Sequence, residues 1–562
     1  MFSDIPAINT LTALLLAHGV KRAVTCPGSR NAPICHNLNE AGIVCHAVTD
    51  ERSAAFFALG VSQALGYEPV VLCVTSGSAI LDAAPGVAEA FYQRAPIIVI
   101  AADRPAAWIG QLDGQTMPQP NALGSMVRKS VSLPEGETDE DRWFANRLIN
   151  EALMAATSGV KGPVLINVPV REPFYEFHAQ FLPTERVCKL DQPSGDDVAR
   201  RVADKMLAAK RPMIVIGQTT TALNGLKQIR GEWPVLFEPL SNQKIGSCFP
   251  NEMVYALKRN AKIDELTDKA TFTPDTILYI GGHVVSKELK RYLRQCNKAE
   301  TIMVNADGEL TDVFMNAVMV AQCDPQAIID NIAKKIKELD GDYMVWWDSL
   351  YRLAELGSRE IAPNMPYSQL QVLGRVMPLT KKFDIQYANS STVRLGCITY
   401  NNWRDKAARC LCNRGINGID GSVSTAAGYS VVNRGRKTLC ITGDLSFFYD
   451  QNALWNGELD GHLRILLLNN HGGGIFSRFA GLKDSNARDR IVMGQHAANA
   501  QGVCAQNGVG YLAANDIESA LAGAEWLLAD DADEPRLLEV FTTMDEDQNA
   551  LNEYYNQLAS LS

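Results

Sequence analysis

Short continuous apolar runs recur along the chain, each followed by a polar, glycine-rich break and then by a stretch with helical spacing. In the first third the runs are 69–75, 96–101 and 163–168, with a short strand at 22–25 and helical patterns at 8–18 and 53–63. Apolar strands without alternation, separated by helices, predict a parallel sheet covered on both faces. The polar breaks fall at the C-terminal ends of the strands, where open α/β sheets bind ligands. They read Cys26-Pro27-Gly28-Ser29-Arg30, Thr75-Ser76-Gly77-Ser78 and Ala102-Asp103-Arg104-Pro105. A polar stretch at 191–196 predicts a linker. Strands at 212–217, 233–237, 276–281 and 301–305 follow, and a charged helix with a solvated face at 328–342 closes the second unit. The third unit carries strands at 383–388, 409–412, 438–442, 464–469 and 536–542. The predicted division is 1–188, 196–340 and 343–562, three α/β domains on mainly parallel sheets. The first and third repeat one order of events, which would fit an ancient duplication.

Composition narrows the function classes. The 562 residues include 53 Lys+Arg against 63 Asp+Glu, a net charge of -10, which disfavours a nonspecific nucleic-acid sleeve. Thirteen cysteines are scattered without CxxC or zinc-ligand spacing and read as free thiols. No apolar stretch is long enough for a membrane span. Asp4, Pro6 and Asn9 interrupt any signal-peptide core, so the expected compartment is the reducing cytoplasm.

The sharpest chemistry lies at 441–446 and 466–474. Gly443-Asp444-Leu445-Ser446 and Asn469-Asn470-His471-Gly472-Gly473-Gly474 each end an apolar strand. Asp444 and Asn470 are 26 positions apart, the length of one strand–helix–strand crossover. A parallel sheet brings both to one edge. A carboxylate, an amide oxygen and a carbonyl after the turn form a sparse oxygen set suited to Mg2+ with positions left for phosphate. The plainer alternative is a helix cap at Asp444 and a turn at Asn470, and the spacing favours the metal reading. His18, His36, His46, His462 and His471 form no metal triad. The chain lacks a nucleophile elbow, a Walker lysine and a first-turn GxGxxG.

With these motifs the chain resembles the thiamine diphosphate enzymes and, among them, the 2-succinyl-5-enolpyruvyl-6-hydroxy-3-cyclohexene-1-carboxylate synthases of menaquinone biosynthesis. Further supporting segments are CPGSRNAP at 26–33, TDERSAAFFALG at 49–60, TSGSA at 75–79, NSSTVR at 389–394 and NRGINGIDGSVSTAAG at 413–428. The central unit is less similar. The resemblance implies a pyrimidine-binding domain, a central domain and a diphosphate-binding domain, with cofactor shared between subunits of a dimer or tetramer. It implies thiamine diphosphate with Mg2+ or Mn2+ held by Asp444, Asn470 and the Gly472 carbonyl. Ser29, Gly443, Leu445, Ser446, Gly473, Ile475 and Phe476 are implied around the cofactor, and Glu51 as the carboxylate facing its aminopyrimidine. Leu445 stands where the wider superfamily usually has glycine. The implied substrates are 2-oxoglutarate and isochorismate, both dicarboxylates. Planar guanidinium forks suit such partners. Ser390 and Arg394 are assigned to the donor. Arg30, Arg104, Gln115 and Lys287 are assigned to the acceptor, and Arg414 is a further site arginine whose place between donor and acceptor stays open. For any one arginine, a salt bridge is the alternative. Lys287 lies in the less similar unit, where it could merely solvate its helix. Rival readings are another thiamine-dependent 2-oxoacid enzyme and a noncatalytic cofactor-binding scaffold.

Overall fold

The computed structural model describes residues 1–561 except 137, 173, 189–194, 260–268, 306–307, 309–310, 338, 340–341, 400–407, 479–480 and 482–484. Three parallel sheets organise it. The first contains β1 (Arg22–Thr25), β2 (Val44–Ala47), β3 (Val70–Val74), β4 (Ile97–Asp103), β5 (Lys129–Ser132) and β6 (Val164–Pro169), in the order β2-β1-β3-β4-β6-β5. The second contains β7 (Pro212–Ile216), β8 (Val235–Phe237), β9 (Thr276–Ile280), β10 (Glu300–Val304) and β11 (Ala317–Ala321), in the order β11-β10-β9-β7-β8. The third contains β12 (Asp384–Tyr387), β13 (Cys410–Cys412), β14 (Thr438–Gly443), β15 (Leu463–Asn469), β16 (Gly510–Ala514) and β17 (Arg536–Phe541), in the order β13-β12-β14-β15-β17-β16. Counted from its own first strand, the third sheet repeats the order of the first.

The strands absent from the sequence expectation are β2, β5, β11 and β16, and all four lie at sheet edges. Each has only one buried position, whereas β3, β4 and β15 are buried throughout. An edge strand faces solvent and needs no continuous apolar run. Part of the expected linker, 191–194, lies outside the described residues, and Asp196 already begins the helix Asp196–Ala208. The closing helix of the second unit runs over Pro325–Lys335, shorter than expected. Positions 338, 340 and 341 of that stretch lie outside the described residues. The described helices include none long and apolar enough to cross a membrane. All thirteen cysteines are free thiols.

Two topologically matched helices join the first and third units. Glu51–Ala64 follows β2, and Ser422–Val432 follows β13. A Cβ at Gly60 would lie 2.1 Å from the Thr425 carbonyl oxygen, and one at Gly428 would lie 2.2 Å from the Phe57 carbonyl oxygen. The contact is therefore reciprocal, and each helix uses a missing side chain to let the other's backbone approach. Phe56, Phe57, Val61, Val423, Ala426, Ala427 and Phe447 belong to one continuous core across this seam. The loops at the strand ends of both units are thus fixed relative to one another.

Candidate functional site

The third sheet builds the oxygen cluster. β14 and β15 are parallel neighbours, with Gly443 paired to Leu468, so their C-terminal ends emerge side by side. Asp444 begins the helix Asp444–Tyr449 and is 3% exposed. Its Oδ1 accepts from the Leu445 N–H at 2.6 Å and its Oδ2 from the Gly472 N–H at 2.9 Å. These bonds draw the two strand ends together. Burial raises the Asp444 pKa above the ordinary range, and the backbone donors and the His496 and His471 rings partly oppose it. His496 Nε2 lies 3.4 Å from Asp444 Oδ2.

Asn470 has its orientation set from behind. Its Nδ2 donates to Asp547 Oδ2 at 2.8 Å, which leaves Oδ1 as the outward oxygen. Asp547 also accepts from the Gln369 N–H at 2.8 Å and from Thr542 Oγ1 at 3.0 Å. A Cβ at Gly474 would lie 2.7 Å from Asn470 Nδ2, so glycine is needed beside the amide. Above Gly443 the nearest atom to an added Cβ is Thr392 Oγ1 at 3.9 Å, which leaves the strand end open. A buried carboxylate held by N–H donors, an amide oxygen oriented by a carboxylate, and an open glycine strand end fit a hard cation carrying a diphosphate. Ser446 is tied to the Ile419 carbonyl through its hydroxyl. Gly473 donates to the Met493 carbonyl at 2.6 Å and opens the short turn Gly474–Arg478, which carries Ile475 and Phe476, both half-buried.

The first sheet carries Arg30 and Arg104, the arginines expected on the acceptor side. Arg30 is 4% exposed. Its Nη1 donates to the Val170 carbonyl at 3.0 Å, its Nη2 pairs with Glu172 Oε1 at 3.0 Å, and its guanidinium lies 4.6 Å from the centre of the Phe174 ring. Arg104 follows β4. It pairs with Asp113 at 2.9 Å, lies 3.8 Å from the same Glu172 oxygen, and donates through Nε to the Gly114 carbonyl at 2.9 Å. Gln115 adopts positive φ and packs its backbone over Gly77. Buried Gln119 ties this loop down by accepting from the Gly77 N–H at 2.7 Å and donating to the Ala102 carbonyl and to Asn167. Ser29 is exposed on the preceding loop.

A second group lies beyond β12 and β13. Ser390 has φ 68°, an uncommon conformation for a non-glycine residue, and its carbonyl accepts from Arg394. Arg414 is 6% exposed, and its Nη1 donates to Asn389 Oδ1 at 3.0 Å. Its Nε is buried without a hydrogen-bond partner among the described residues. Asn389 also donates to the carbonyls of Asn413 and Gly418, and buried Glu89 of the first unit accepts from the N–H groups of Gly415 and Ile416. The loop bearing Arg414 is therefore held from two units. Lys287 begins the helix Lys287–Gln295 and is exposed. The described residues supply it no ion pair or hydrogen bond.

Glu51 is half-buried at the start of its helix, whose first turn is capped by Asp50 accepting from the Ser53 N–H at 3.0 Å. Burial raises the Glu51 pKa, and the nearby Asp82 and Asp50 carboxylates push it the same way. The described residues of this chain make no hydrogen bond or ion pair between Glu51 and the Asp444 cluster. The Glu51 turn meets the Asp444–Tyr449 helix at its far end, where Arg52 donates to the Tyr449 carbonyl at 3.0 Å.

The chain is similar along its whole length to known enzymes. A relative from Phocaeicola vulgatus, a 2-succinyl-5-enolpyruvyl-6-hydroxy-3-cyclohexene-1-carboxylate synthase, is 40% identical over 570 aligned positions, covering 99% of each chain. Relatives of the same name from Bacteroides fragilis and Flavobacterium johnsoniae are 40% and 30% identical, each over 99% of this chain and 100% of their own. The chain belongs to that synthase family. Residues 7–124 also match the thiamine pyrophosphate enzyme N-terminal TPP-binding domain. Among solved structures, benzoylformate decarboxylase from Polynucleobacter necessarius superposes with a TM-score of 0.69 at 16% identity, covering 97% of this chain and 99% of its own. That likeness speaks for the fold alone.

For a member of this synthase family, four structural participants had escaped sequence reasoning: His496 beside Asp444, Asp547 behind Asn470, Gln119 under the Gly77 turn and Glu172 between two arginines. Asp547 and Glu172 follow the last-numbered strands of their units, far in sequence from the motifs they support. A capping-box pattern around Thr543 and Glu546 does mark the helix that carries Asp547.

Proposed function

We propose that this chain decarboxylates 2-oxoglutarate with thiamine diphosphate and adds the resulting succinyl unit to isochorismate, releasing 2-succinyl-5-enolpyruvyl-6-hydroxy-3-cyclohexene-1-carboxylate and CO2. Full-length identity of 40% to a synthase of that name supports the reaction. The observation that carries the site assignment is the Asp444–Gly472–Asn470 cluster at two neighbouring strand ends. In this reading Asp444, Asn470 Oδ1 and the Gly472 carbonyl hold Mg2+, with Mn2+ as a substitute, and the glycines admit the diphosphate. The cofactor supplies the carbanion chemistry when bound. Glu51 holds the aminopyrimidine through its raised-pKa carboxyl, and partial burial strengthens that hydrogen bond. Ile475 and Phe476 wall the cofactor's reactive end.

Arg394, Ser390 and Arg414 orient the donor carboxylates, and the buried Arg414 Nε is a donor in search of an acceptor. Arg30, Arg104, Gln115 and Lys287 receive the acceptor, whose carboxylates exchange with Glu172 and Asp113. Such clamps act by orientation and charge neutralisation. This reading takes the protein as a three-domain thiamine enzyme in which two subunits complete each site, as a dimer or a tetramer, in the cytoplasm. The test combines the protein with thiamine diphosphate, Mg2+, 2-oxoglutarate and isochorismate and follows product by mass. Acceptor-dependent product is expected, and its absence would sink the reading. Glu51→Gln should keep the fold by circular dichroism and lower turnover by about 100-fold or more; unchanged turnover would remove Glu51 from the chemistry.

A further inference from the structure

Beneath the Ser29–Arg30 loop lies a pair of thiols that the reaction does not use. Cys35 sits in the helix Ala32–Glu40 and is partly exposed, while Cys73 is fully buried in the middle of the first sheet, on β3. Their Sγ atoms are 3.8 Å apart. The Asn31 amide bridges them. Its Nδ2 lies 3.5 Å from Cys35 Sγ and 3.9 Å from Cys73 Sγ, and it donates to the Cys26 carbonyl at 2.8 Å. Asn31 is wholly buried and adjacent to Arg30, so one side chain ties the thiol pair to both ends of the loop. β3 itself runs into the Thr75-Ser76-Gly77 turn, and a Cβ at Gly28 would lie 2.4 Å from Thr75 Cβ. The two loops therefore lie in close contact at Gly28.

We propose that Cys35 and Cys73 form a reversible disulfide on exposure to hydrogen peroxide, and that closing this bond displaces the Arg30 loop through Asn31. The two sulfurs have unequal roles. The contact with Cys73 lowers the Cys35 pKa despite burial, and the same contact together with burial holds Cys73 well above the usual thiol range. Cys35, the more exposed and more acidic sulfur, attacks the peroxide as thiolate. It takes one peroxide oxygen as a sulfenic acid, and the other oxygen leaves as water after protonation. Cys73 sulfur then displaces the sulfenic oxygen, which leaves as a second water with the Cys73 proton. In sum, two thiols and one peroxide give one disulfide and two waters, a two-electron exchange. A disulfide needs its sulfurs at about 2.0 Å. Because β3 is locked between two strands, closure must draw the Ala32–Glu40 helix inward and break the contacts of Asn31 with the thiols.

The disulfide stands on geometry alone, whereas its effect on turnover rests on the function proposed above. Full-length protein is treated with hydrogen peroxide, alkylated and mapped by peptide mass. A Cys35–Cys73 cross-link, reversed by dithiothreitol, is expected before any other cysteine is modified. Cys35 and Cys73 remaining separately alkylatable, or another pair linking first, would overturn it. Cys73→Ser should instead leave a sulfenic acid on Cys35 that dimedone labels, and no label there would also refute the assigned order. Peroxide should raise the acceptor KM of the wild type at least several-fold, and Cys35→Ala should be insensitive. A cross-linked enzyme with unchanged KM would refute the coupling to Arg30 while leaving the disulfide intact. Failure of the uncross-linked enzyme to make product would refute the function instead.

Discussion

The first and third units share one strand order, and their matched strand ends carry different chemistry. After the third strand of each stand Ser76 and Gly77 in one and Asp444 in the other. After the fourth stand Arg104 in one and Asn470 with Gly472 in the other. After the second stand Glu51 and Arg414, and after the last parallel neighbour stand Glu172 and Asp547. One topology thus presents a serine, an arginine and two glutamates from the first unit, and from the third mostly metal-type oxygens with one arginine. The fold fixes where functional groups emerge; the residue at each strand end decides what they do.

The sharpest way to break this comparison is to exchange its strongest contrast. Asp444→Ala removes the acceptor for two backbone N–H groups together with the proposed metal-binding carboxylate. Turnover should fall at least about 1000-fold, beyond what losing an outer partner costs a metal site. Thiamine diphosphate binding should lose its Mg2+ dependence. Ser76→Ala, at the matched place in the first unit, should leave that dependence intact. An Asp444→Ala enzyme that still needs Mg2+ would show that the two strand ends are not specialised as described.

The seam between the units gives a pH-dependent test. Asp450 is 1% exposed and accepts from the Ser424 N–H and hydroxyl at the start of the Ser422–Val432 helix. Burial pushes its pKa from 3.8 up to about 7. The folded state therefore keeps the proton in a range where the unfolded chain has lost it. The stabilisation is full below pH 4 and is lost as pH rises towards 7. Over that whole pH interval the loss is on the order of 4 kcal/mol. Asp450→Asn should flatten that part of the stability profile in urea unfolding followed at pH 4, 5.5 and 7. Parallel wild-type and variant profiles would remove Asp450 as its source.

Legibility followed burial. Interior strands such as β3, β4 and β15 are buried on both faces, so their sequences are unbroken apolar runs, and the polar residues ending them were readable as a site. β2, β5, β11 and β16, four of the six edge strands, had no such signature. Asp444 and Asn470 were legible because one crossover separates them. Asp547 was not, because its role as the orienting partner of Asn470 exists only across 77 positions of sequence. Asp547→Asn tests that role. The new amide cannot accept from both Asn470 and the Gln369 N–H, so the Asn470 amide loses its fixed orientation. Mg2+ affinity, read from cofactor binding, should weaken by about 10- to 100-fold. An unchanged Mg2+ titration would make Asp547 a packing residue.

The smallest effect belongs to the counterpart of Asp547 in the first unit. Glu172 pairs with Arg30 at 3.0 Å and lies 3.8 Å from Arg104, yet its side chain is 66% exposed. Asp547 is buried and orients Asn470, the proposed ligand. Glu172 is solvated and occupies cations that the acceptor's carboxylates are proposed to meet. Exposed pairs are worth about 0.2–1 kcal/mol, so Glu172→Gln frees both guanidinium groups at little structural cost, because Val170 and Phe174 still hold Arg30. The acceptor KM should fall by about two- to five-fold with kcat and the donor KM unchanged. A rise in acceptor KM would mean that Glu172 aligns the arginines, as Asp547 aligns Asn470, and the two units would then share a device as well as a topology.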